Sequence, residues 1–518
     1  MNSLGKYALI ALLCFNISEA YNILVVFPMP AQSHRNLGDG VVRHLLNAGH
    51  EVTYITPYIK EGSNPKLRQI KMIYDFDALP KPHIKTIMNN EQDFNPSNFF
   101  NYTLGTHQAM IQNKEVQKLL RDPQQTFDVV VIEWLFSELY SGLSAVFGCP
   151  LIWVSSVDPH SAIMQLIDEN LNPAYNPGLM STVLPPYTFV QRVKELFMSA
   201  VTTVLKNYIF VRYERQAYEE LYVPLIKMRG RPVPTYDEVK FNASLILGNS
   251  HVSLGQATRL PQNYKAVAGY HIDTNFKPLP ENLKKLLDSA KNGVIYFSMG
   301  SNLSSKDMPE ELKKSLLKVF GALKQTVLWK FEEVLDDLPK NVHIVQWAPQ
   351  PAILSHPNCV LFITHGGLLS ATEAVHFGKP IIGIPVFADQ FLNVERAVKK
   401  GLGKRVDLSY SMADDLEVAL KEILDSPRYM ERAKELSMIF HDRPTPPGEE
   451  LAHWVSHVIK TGGAPHLRSP ALHTPFYQKM YLDLIAVIVV ILIALRILVR
   501  RICNSCKTKK LVSDKKYN

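Results

Sequence analysis

The 518 residues include only five cysteines, of which Cys14 lies in an N-terminal apolar run and Cys503 and Cys506 lie near the C-terminus. Cys149 and Cys359 alone serve the long middle of the chain, so no disulfide framework holds this fold and burial of apolar surface must do so. Cys503 and Cys506 form a CxxC pair without a second pair, too little for zinc; it marks acylation or nothing. Charge of one sign is also scarce. The formal net charge is +8, but seven basic residues from Arg500 to Lys516 against Asp514 put six of those charges in the last 19 residues, leaving +2 for the rest. A nearly neutral body argues against nucleic acid as a partner. Gly38-x-Gly40 and Gly401-x-Gly403 both lack the third glycine of a dinucleotide fingerprint, which argues against a nicotinamide enzyme.

Long apolar runs occur only at the two ends. Lys6 is followed by the run Tyr7 to Phe15 and then by Ser18-Glu19-Ala20, whose small residues suit signal peptidase, so residues 1–20 read as a signal peptide. Residues 481–499 are apolar except for Asp483 and Arg496, and 19 helical residues at ~1.5 Å each match a bilayer core of ~30 Å. Both charges lie near the ends of this run, where they can reach the headgroups. The basic residues 500–518 place the tail in the cytosol and residues 21–480 in the lumen of the secretory system. Lys515 and Lys516 stand fourth and third from the C-terminus, as in the dilysine retrieval signal of endoplasmic reticulum membrane proteins. Asn101, Asn242 and Asn302 head Asn-x-Ser/Thr sequons.

The lumenal 460 residues are too many for one core and suit two domains. Two strand, loop, helix openings support the division. The first is Ile23 to Phe27, a loop to His34, a helical pattern through Leu37, Val41, Leu45 and Ala48, and a second strand from Glu51 to Ile55. The second is Gly293 to Ser298, the loop Met299-Gly300-Ser301, and a helix whose start is signalled by Asp307, Pro309, Glu310 and Glu311. The expected fold class is α/β, with two Rossmann-like domains facing a cleft: residues 21–274, residues 275–465 with a last helix crossing back, and a juxtamembrane linker at 466–480. Residues 170–190 read as a long loop and the stretch to about Tyr222 as amphipathic helix.

The most informative stretch runs from Trp347 to Gln390. It contains Trp347-Ala-Pro-Gln350, the strand Val360 to Ile363, Thr364-His365-Gly366-Gly367, a helix through Ser370 and Glu373, a strand from Ile381 to Ile384, and Asp389-Gln390. A strand that turns through two glycines into a helix exposes backbone N–H groups at the positive end of the helix dipole, where a pyrophosphate docks without a side-chain clash. Ser370 and Glu373, three apart, share a helix face and put a carboxylate one turn beyond, at a distance suited to ribose hydroxyls. Trp347 offers a flat apolar surface for a base.

This segment resembles the signature of the family-1 uridine-diphosphate glycosyltransferases, and the flanking runs and basic tail are similar to those of the animal membrane-bound, insect-type branch. His441-Asp442-Arg443-Pro444 and Trp454 resemble the family's crossing segment. The resemblance implies a GT-B fold of two domains closing on a cleft, and a metal-independent reaction with no cofactor, the UDP-sugar being a co-substrate. It implies that Trp347 stacks on uracil and that Gln350 and Glu373 hold the ribose. Ser301, His365, Gly367, Ser370 and Asn393 would surround the phosphates, while Asp389 and Gln390 would bind the sugar. The family's general base is a histidine just after the first strand, the place of His34, and an imidazole with a pKa near ~6.5 can take a proton from a hydroxyl. The partner departs from the vertebrate pattern: Phe127-Asp128-Val-Val-Val-Ile132 is followed by Glu133 where that pattern has aspartate. Asp128 is the weaker substitute. Asp75-Phe-Asp77 has the DxD shape of metal-using transferases, but nothing around it reads as a nucleotide site and it is assigned to a loop.

The expected activity is inverting transfer of a hexose, glucose favoured, to a hydroxyl of a small lipophilic acceptor, the chemistry of small-molecule conjugation and detoxification. Glucuronosyl transfer, or a nucleotide-fold binding protein without turnover, remain the alternatives. The acceptor pocket is expected from loops at 80–110 and 170–220. A glycan on Asn302 would obstruct the phosphate loop, so Asn101 and Asn242 are the expected glycan sites. The sequence leaves homo- or hetero-oligomerisation open.

Overall fold

A computed structural model describes residues 20–518 apart from 63, 74–83, 90–95, 274, 301–307, 334 and 515–518. The signal-peptide reading, Asp75 and Asp77, Ser301 and Asn302, and Lys515 and Lys516 lie outside the described residues.

Two parallel sheets organise the body. The first runs β3-β2-β1-β4-β5-β6-β7, with β1 Asn22–Val26, β2 Glu51–Thr56, β3 Leu67–Lys71, β4 Val129–Trp134, β5 Leu151–Ser155, β6 Ala243–Gly248 and β7 Tyr264–Ala266. The second runs β10-β9-β8-β11-β12-β13, with β8 Val294–Ser298, β9 Thr326–Lys330, β10 Val342–Val345, β11 Cys359–Thr364, β12 Ile381–Gly383 and β13 Gly403–Arg405. Every described strand pair is parallel. The sequence dictates this: β1, β4 and β8 are nearly continuous apolar runs, and a strand apolar on both faces needs helices on both, the signature of a parallel α/β sheet. The expected two Rossmann-like domains are therefore present.

In each sheet the strand order reverses between two central neighbours, β1 and β4 in the first and β8 and β11 in the second. Chain connections leave these neighbours in opposite directions, which opens a crevice at their C-terminal ends and favours ligand binding there. In register, Val26 stands beside Ile132 and Ser298 beside Thr364, so the two pairs of strand ends deliver their loops together.

The halves are stitched together beyond the cleft. Helix Pro447–Lys460 places Leu451, Val455 and Val458 in the same buried cluster as Ile23, Val25 and Leu37 of the first domain, and His50 Nε2 lies 3.0 Å from Ser456 Oγ. In the other direction, Ile84 is fully buried in the cluster of the second sheet with Phe297 and Trp329.

Local expectations hold with two shifts. His34 lies inside the first turn of helix Gln32–Asn47 rather than in the loop before it. The helix after β8 starts at Glu310, with Pro309 in its extended N-cap position and no side-chain cap; the expected cap, Asp307, is outside the described residues. Gly38 and Gly40 serve packing: a Cβ on Gly38 would come within 2.2 Å of Tyr54 Oη, and one on Gly40 within 2.9 Å of the His271 backbone.

The chain divides into two compact units between Arg468 and Ser469. The second carries helix Leu482–Asp514, in which Leu482–Ser505 is long and apolar enough to cross a membrane. At ~1.5 Å per residue these 24 residues exceed the ~30 Å of a bilayer core.

Candidate functional site

Along β4 the side chains alternate. Val130, Ile132 and Trp134 enter one buried cluster, while Val129 and Val131 enter the other, which also holds Leu37, Val41 and Leu45 of helix Gln32–Asn47. The two-residue period therefore turns Glu133 towards that helix, whose first turn carries His34. His34 Nδ1 and Glu133 Oε1 form a short hydrogen bond. Glu133 is fully buried and its Oε2 has no partner among the described residues, so its charge is directed at one imidazole. Asp128, the weaker candidate, sits at the opposite end of the strand, where its carboxylate accepts the Asn22 N–H at 2.7 Å.

Burial is the largest influence on His34 and by itself lowers its pKa; the charge and hydrogen bond of Glu133, with Asp389 adding to them, outweigh it and raise the pKa above the ordinary 6.5. Asp389 belongs to the second domain, at the start of helix Gln390–Lys399, and its own pKa is raised chiefly by burial. The facing domains thus bring His34, Glu133 and Asp389 to one place.

The second sheet supplies the other wall. His365 follows β11, and its ring is sandwiched by glycine backbone: a Cβ on Gly300 would lie 2.7 Å from the ring and one on Gly367 2.6 Å. Gly300 and Gly366 have φ of +82° and +79°, which L side chains rarely adopt. Burial first, then Lys330, pushes the His365 pKa down to about 4, so its imidazole is neutral near pH 7 and acts as a hydrogen-bonding group. Helix Leu368–His376 begins directly after Gly367, and the Ala371 N–H is the first to find a carbonyl within it, at 3.0 Å from Gly367 O. The Gly366 N–H donates to Thr364 Oγ1 at 3.3 Å, while among the described residues the N–H groups of residues 367–370 meet no acceptor and are open to an anion.

The remaining residues cluster around this turn. Gln350 Nε2 donates to Glu373 Oε2 at 2.7 Å and to Ser370 Oγ at 3.2 Å. Trp347 is 63 % exposed, which leaves an indole face free for stacking. Asn393 Nδ2 donates to Asp389 Oδ2 at 2.8 Å and to Gly366 O at 3.2 Å, tying the carboxylate to the glycine turn. Gln390 is buried, and its side-chain carbonyl accepts the N–H groups of Val386 at 2.9 Å and Phe387 at 3.2 Å, so only its amide NH2 is left for a ligand. Ala388, just before Asp389, has φ of +55°, a strained backbone held in place by these bonds. Asn101 and Asn242 are exposed on the first domain.

Two residues escaped the sequence reading. Lys330, at the C-terminal end of β9, is buried; its Nζ donates to Gly300 O at 2.6 Å and lies 5.4 Å from the centre of the Trp347 ring. A lysine ending the apolar strand Thr326-Val-Leu-Trp was the signal available. His271, reaching in from the first domain after β7, is buried with Nε2 3.7 Å from Glu373 Oε1, and neither ring nitrogen has a hydrogen-bond partner among the described residues. No local pattern marks it.

The sequence model of "UDP-glucoronosyl and UDP-glucosyl transferase" matches residues 22–517. The chain is 30% identical over 493 residues to "UDP-glycosyltransferase UGT5" of Dactylopius coccus, covering 93% of this chain and 92% of that one. It is 27% identical over 543 aligned residues to "UDP-glucuronosyltransferase 2B1" of Rattus norvegicus, covering 100% and 99%. Among solved structures, the glycotransferase of kitacinnamycin superposes with a TM-score of 0.58 at 18% identity, covering 85% of this chain and all of that one. LpCGTa, solved in complex with UDP, gives 0.54 at 13% over the same shares. At such identities the structural likeness speaks for the fold.

Proposed function

The chain belongs to the UDP-glucuronosyl and UDP-glucosyl transferase family and so takes a sugar from a UDP-sugar, and we propose that it passes a hexose, glucose in our reading, to a hydroxyl of a small lipophilic acceptor. The observation that carries this reading is the His34 and Glu133 pair, whose imidazole also feels the charge of Asp389 from the second domain. With Nδ1 bound to Glu133, Nε2 of His34 accepts the acceptor's hydroxyl proton. The freed oxygen bonds to the anomeric carbon, the bond from that carbon to the UDP oxygen breaks, and UDP leaves with the electron pair. Attack from the face opposite UDP turns an α-linked donor into a β-glycoside.

In this reading the open amides before Ala371, with Ser370, His365 and Asn393, take the diphosphate. Gln350 and Glu373 take the ribose, Trp347 the uracil, and Asp389 with the Gln390 amide the sugar hydroxyls. Ser301 joins the phosphate set by its place in the sequence. Metal and cofactor have no part in it. Initial rates with UDP-glucose and UDP-glucuronate in competition test the sugar: preference for UDP-glucuronate would sink the glucose assignment. On the preferred donor, Trp347→Ala should raise KM roughly tenfold or more with little change in kcat, because base stacking contributes ~1–3 kcal/mol equally to ground and transition states. An unchanged KM would take Trp347 out of the site.

We place the body in the endoplasmic reticulum lumen and the basic tail, with Lys515 and Lys516, in the cytosol. Glycans are then expected on the exposed Asn101 and Asn242 and not on Asn302. Glycopeptide mass spectrometry on the native enzyme checks this; bare Asn101 and Asn242, or full occupancy of Asn302, would contradict it. A nucleotide-binding protein without turnover is the second reading, favoured only by the departure at Glu133.

A further inference from the structure

The segment that follows β7 is held by the same helix that carries the proposed base. His44 Nε2 donates to Tyr270 O at 2.9 Å, and Arg43 Nη2 donates to Tyr270 O at 2.9 Å and to Ile272 O at 3.3 Å. Arg43 Nη1 lies 3.4 Å from Asp273 Oδ2. Both side chains stand near the end of helix Gln32–Asn47, and Gly40, one turn before His44, has no side chain to keep the His271 backbone away. The carbonyls on either side of His271 are thus fixed. Its place is tied through one helix to that of His34.

What His271 meets belongs to the other domain. Its side chain is 2 % exposed, its Nε2 lies 3.7 Å from Glu373 Oε1, and among the described residues neither ring nitrogen has a hydrogen-bond partner. The other carboxylate oxygen, Oε2, already accepts Gln350 Nε2 at 2.7 Å, so Oε1 is the oxygen turned towards the first domain. A separation of 3.7 Å is too long for a hydrogen bond, yet an oxygen atom set to one side of it reaches both atoms at ~2.8 Å. A hydroxyl suits that place. It can give its proton to the carboxylate and accept the ring N–H in the tautomer protonated on Nε2, whereas a carbonyl could serve only the ring and an ammonium only the carboxylate. A buried imidazole N–H left unpaired is costly, and a ligand hydroxyl removes that cost.

We propose that His271 is a nucleotide-binding residue: a ribose hydroxyl of the UDP moiety is held between Glu373 Oε1 of the second domain and the Nε2–H of His271 from the first. This rests on the reading that Gln350 and Glu373 take the ribose, and it adds a nucleotide contact made by the first domain. His34 and His271 are positioned by one helix, so a ribose seated between the domains also sets where the base stands over the sugar. A nucleotide without that hydroxyl loses the link.

The test uses the full chain in detergent and titrates it with UDP, 2′-deoxy-UDP and 3′-deoxy-UDP. The unaltered chain should bind UDP about tenfold or more tighter than at least one deoxy analogue. His271→Ala should weaken UDP about fivefold or more and leave that analogue within about twofold, so that the preference for the hydroxyl shrinks. His271→Gln, whose amide can donate from nearly the same place, should recover part of it. Thermal unfolding without nucleotide checks the fold; if His271→Ala does not fold, His271→Phe, which keeps a ring and removes both nitrogens, replaces it. Equal weakening of UDP and both analogues would assign His271 to packing and overturn the proposal, as would an unchanged preference. Glu373→Ala separates this inference from the ribose reading beneath it. If Glu373→Ala abolishes the preference while His271→Ala keeps it, this inference alone fails; if Glu373→Ala keeps it in full, the ribose reading fails and this inference with it.

Discussion

Replacing His34 with alanine lowers sugar transfer by at least about 100-fold, the usual scale for loss of a general base, while binding of UDP stays within about twofold of the unaltered enzyme. The separation follows from where the residues sit. His34 is on the first domain, in the first turn of helix Gln32–Asn47, whereas the proposed nucleotide contacts are on the second, after β8, β10 and β11. Removing the imidazole leaves the glycine turn, Gln350, Glu373 and Trp347 untouched. Isothermal titration with UDP alongside initial rates of transfer gives both quantities. Transfer at the unaltered rate would exclude His34 from the mechanism, and equal loss of UDP binding would mean that the substitution had disturbed the closed cleft rather than the chemistry.

The second large effect belongs to Glu133. A neutral imidazole is the active form of the base, so activity should rise with pH through the His34 pKa, and the acid limb of the kcat/KM profile should lie above pH 6.5 because that pKa is raised. Glu133→Gln keeps the shape of the pair and removes its charge. Burial, the largest influence on His34, then acts against Asp389 alone, and the pKa should fall. The acid limb moves to lower pH. At the same time the imidazolium formed during proton transfer loses its counter-charge, and kcat should drop on the order of 100-fold or more; loss of the acidic partner in a histidine triad can cost ~10⁴. Glu133→Asp, the residue of the vertebrate pattern, should recover part of the rate. The pH profile is the deciding readout, because a carboxylate that merely packed the strand end would leave the acid limb where it was.

Much of this was legible in the residues. Runs such as Ile23 to Phe27 and Val294 to Ser298 are apolar on both faces, and only a parallel sheet covered by helices uses such strands. The turn Thr364 to Gly367 announces its role because a helix dipole and bare amides are properties of a few consecutive residues. The spacing put Ser370 and Glu373 on one helix face, the resemblance to the family added Gln350, and hydrogen bonds join the three.

What escaped was set by distance along the chain. His271 lies 102 positions before Glu373, and nothing near either residue announces the other. Lys330 ends an apolar strand, and only the fold puts it against Gly300 and Trp347. The polarity of helix Phe189–Val204 was visible as amphipathic, but which face turns outward is undefined until its neighbours are in place.

By itself, the sequence determined the class of fold, the glycine turn after β11 and the apolar ends, because each of these follows from short-range patterns of burial and dipole, whereas His34 was singled out by the resemblance to the family. Tertiary structure alone decided that Glu133 rather than Asp128 meets His34, that Asp389 faces them from the other domain, and that His271 stands beside Glu373. Those are relations between residues far apart in the chain, and only the packing of two sheets through shared helices brings them within reach of a hydrogen bond or a Coulomb field.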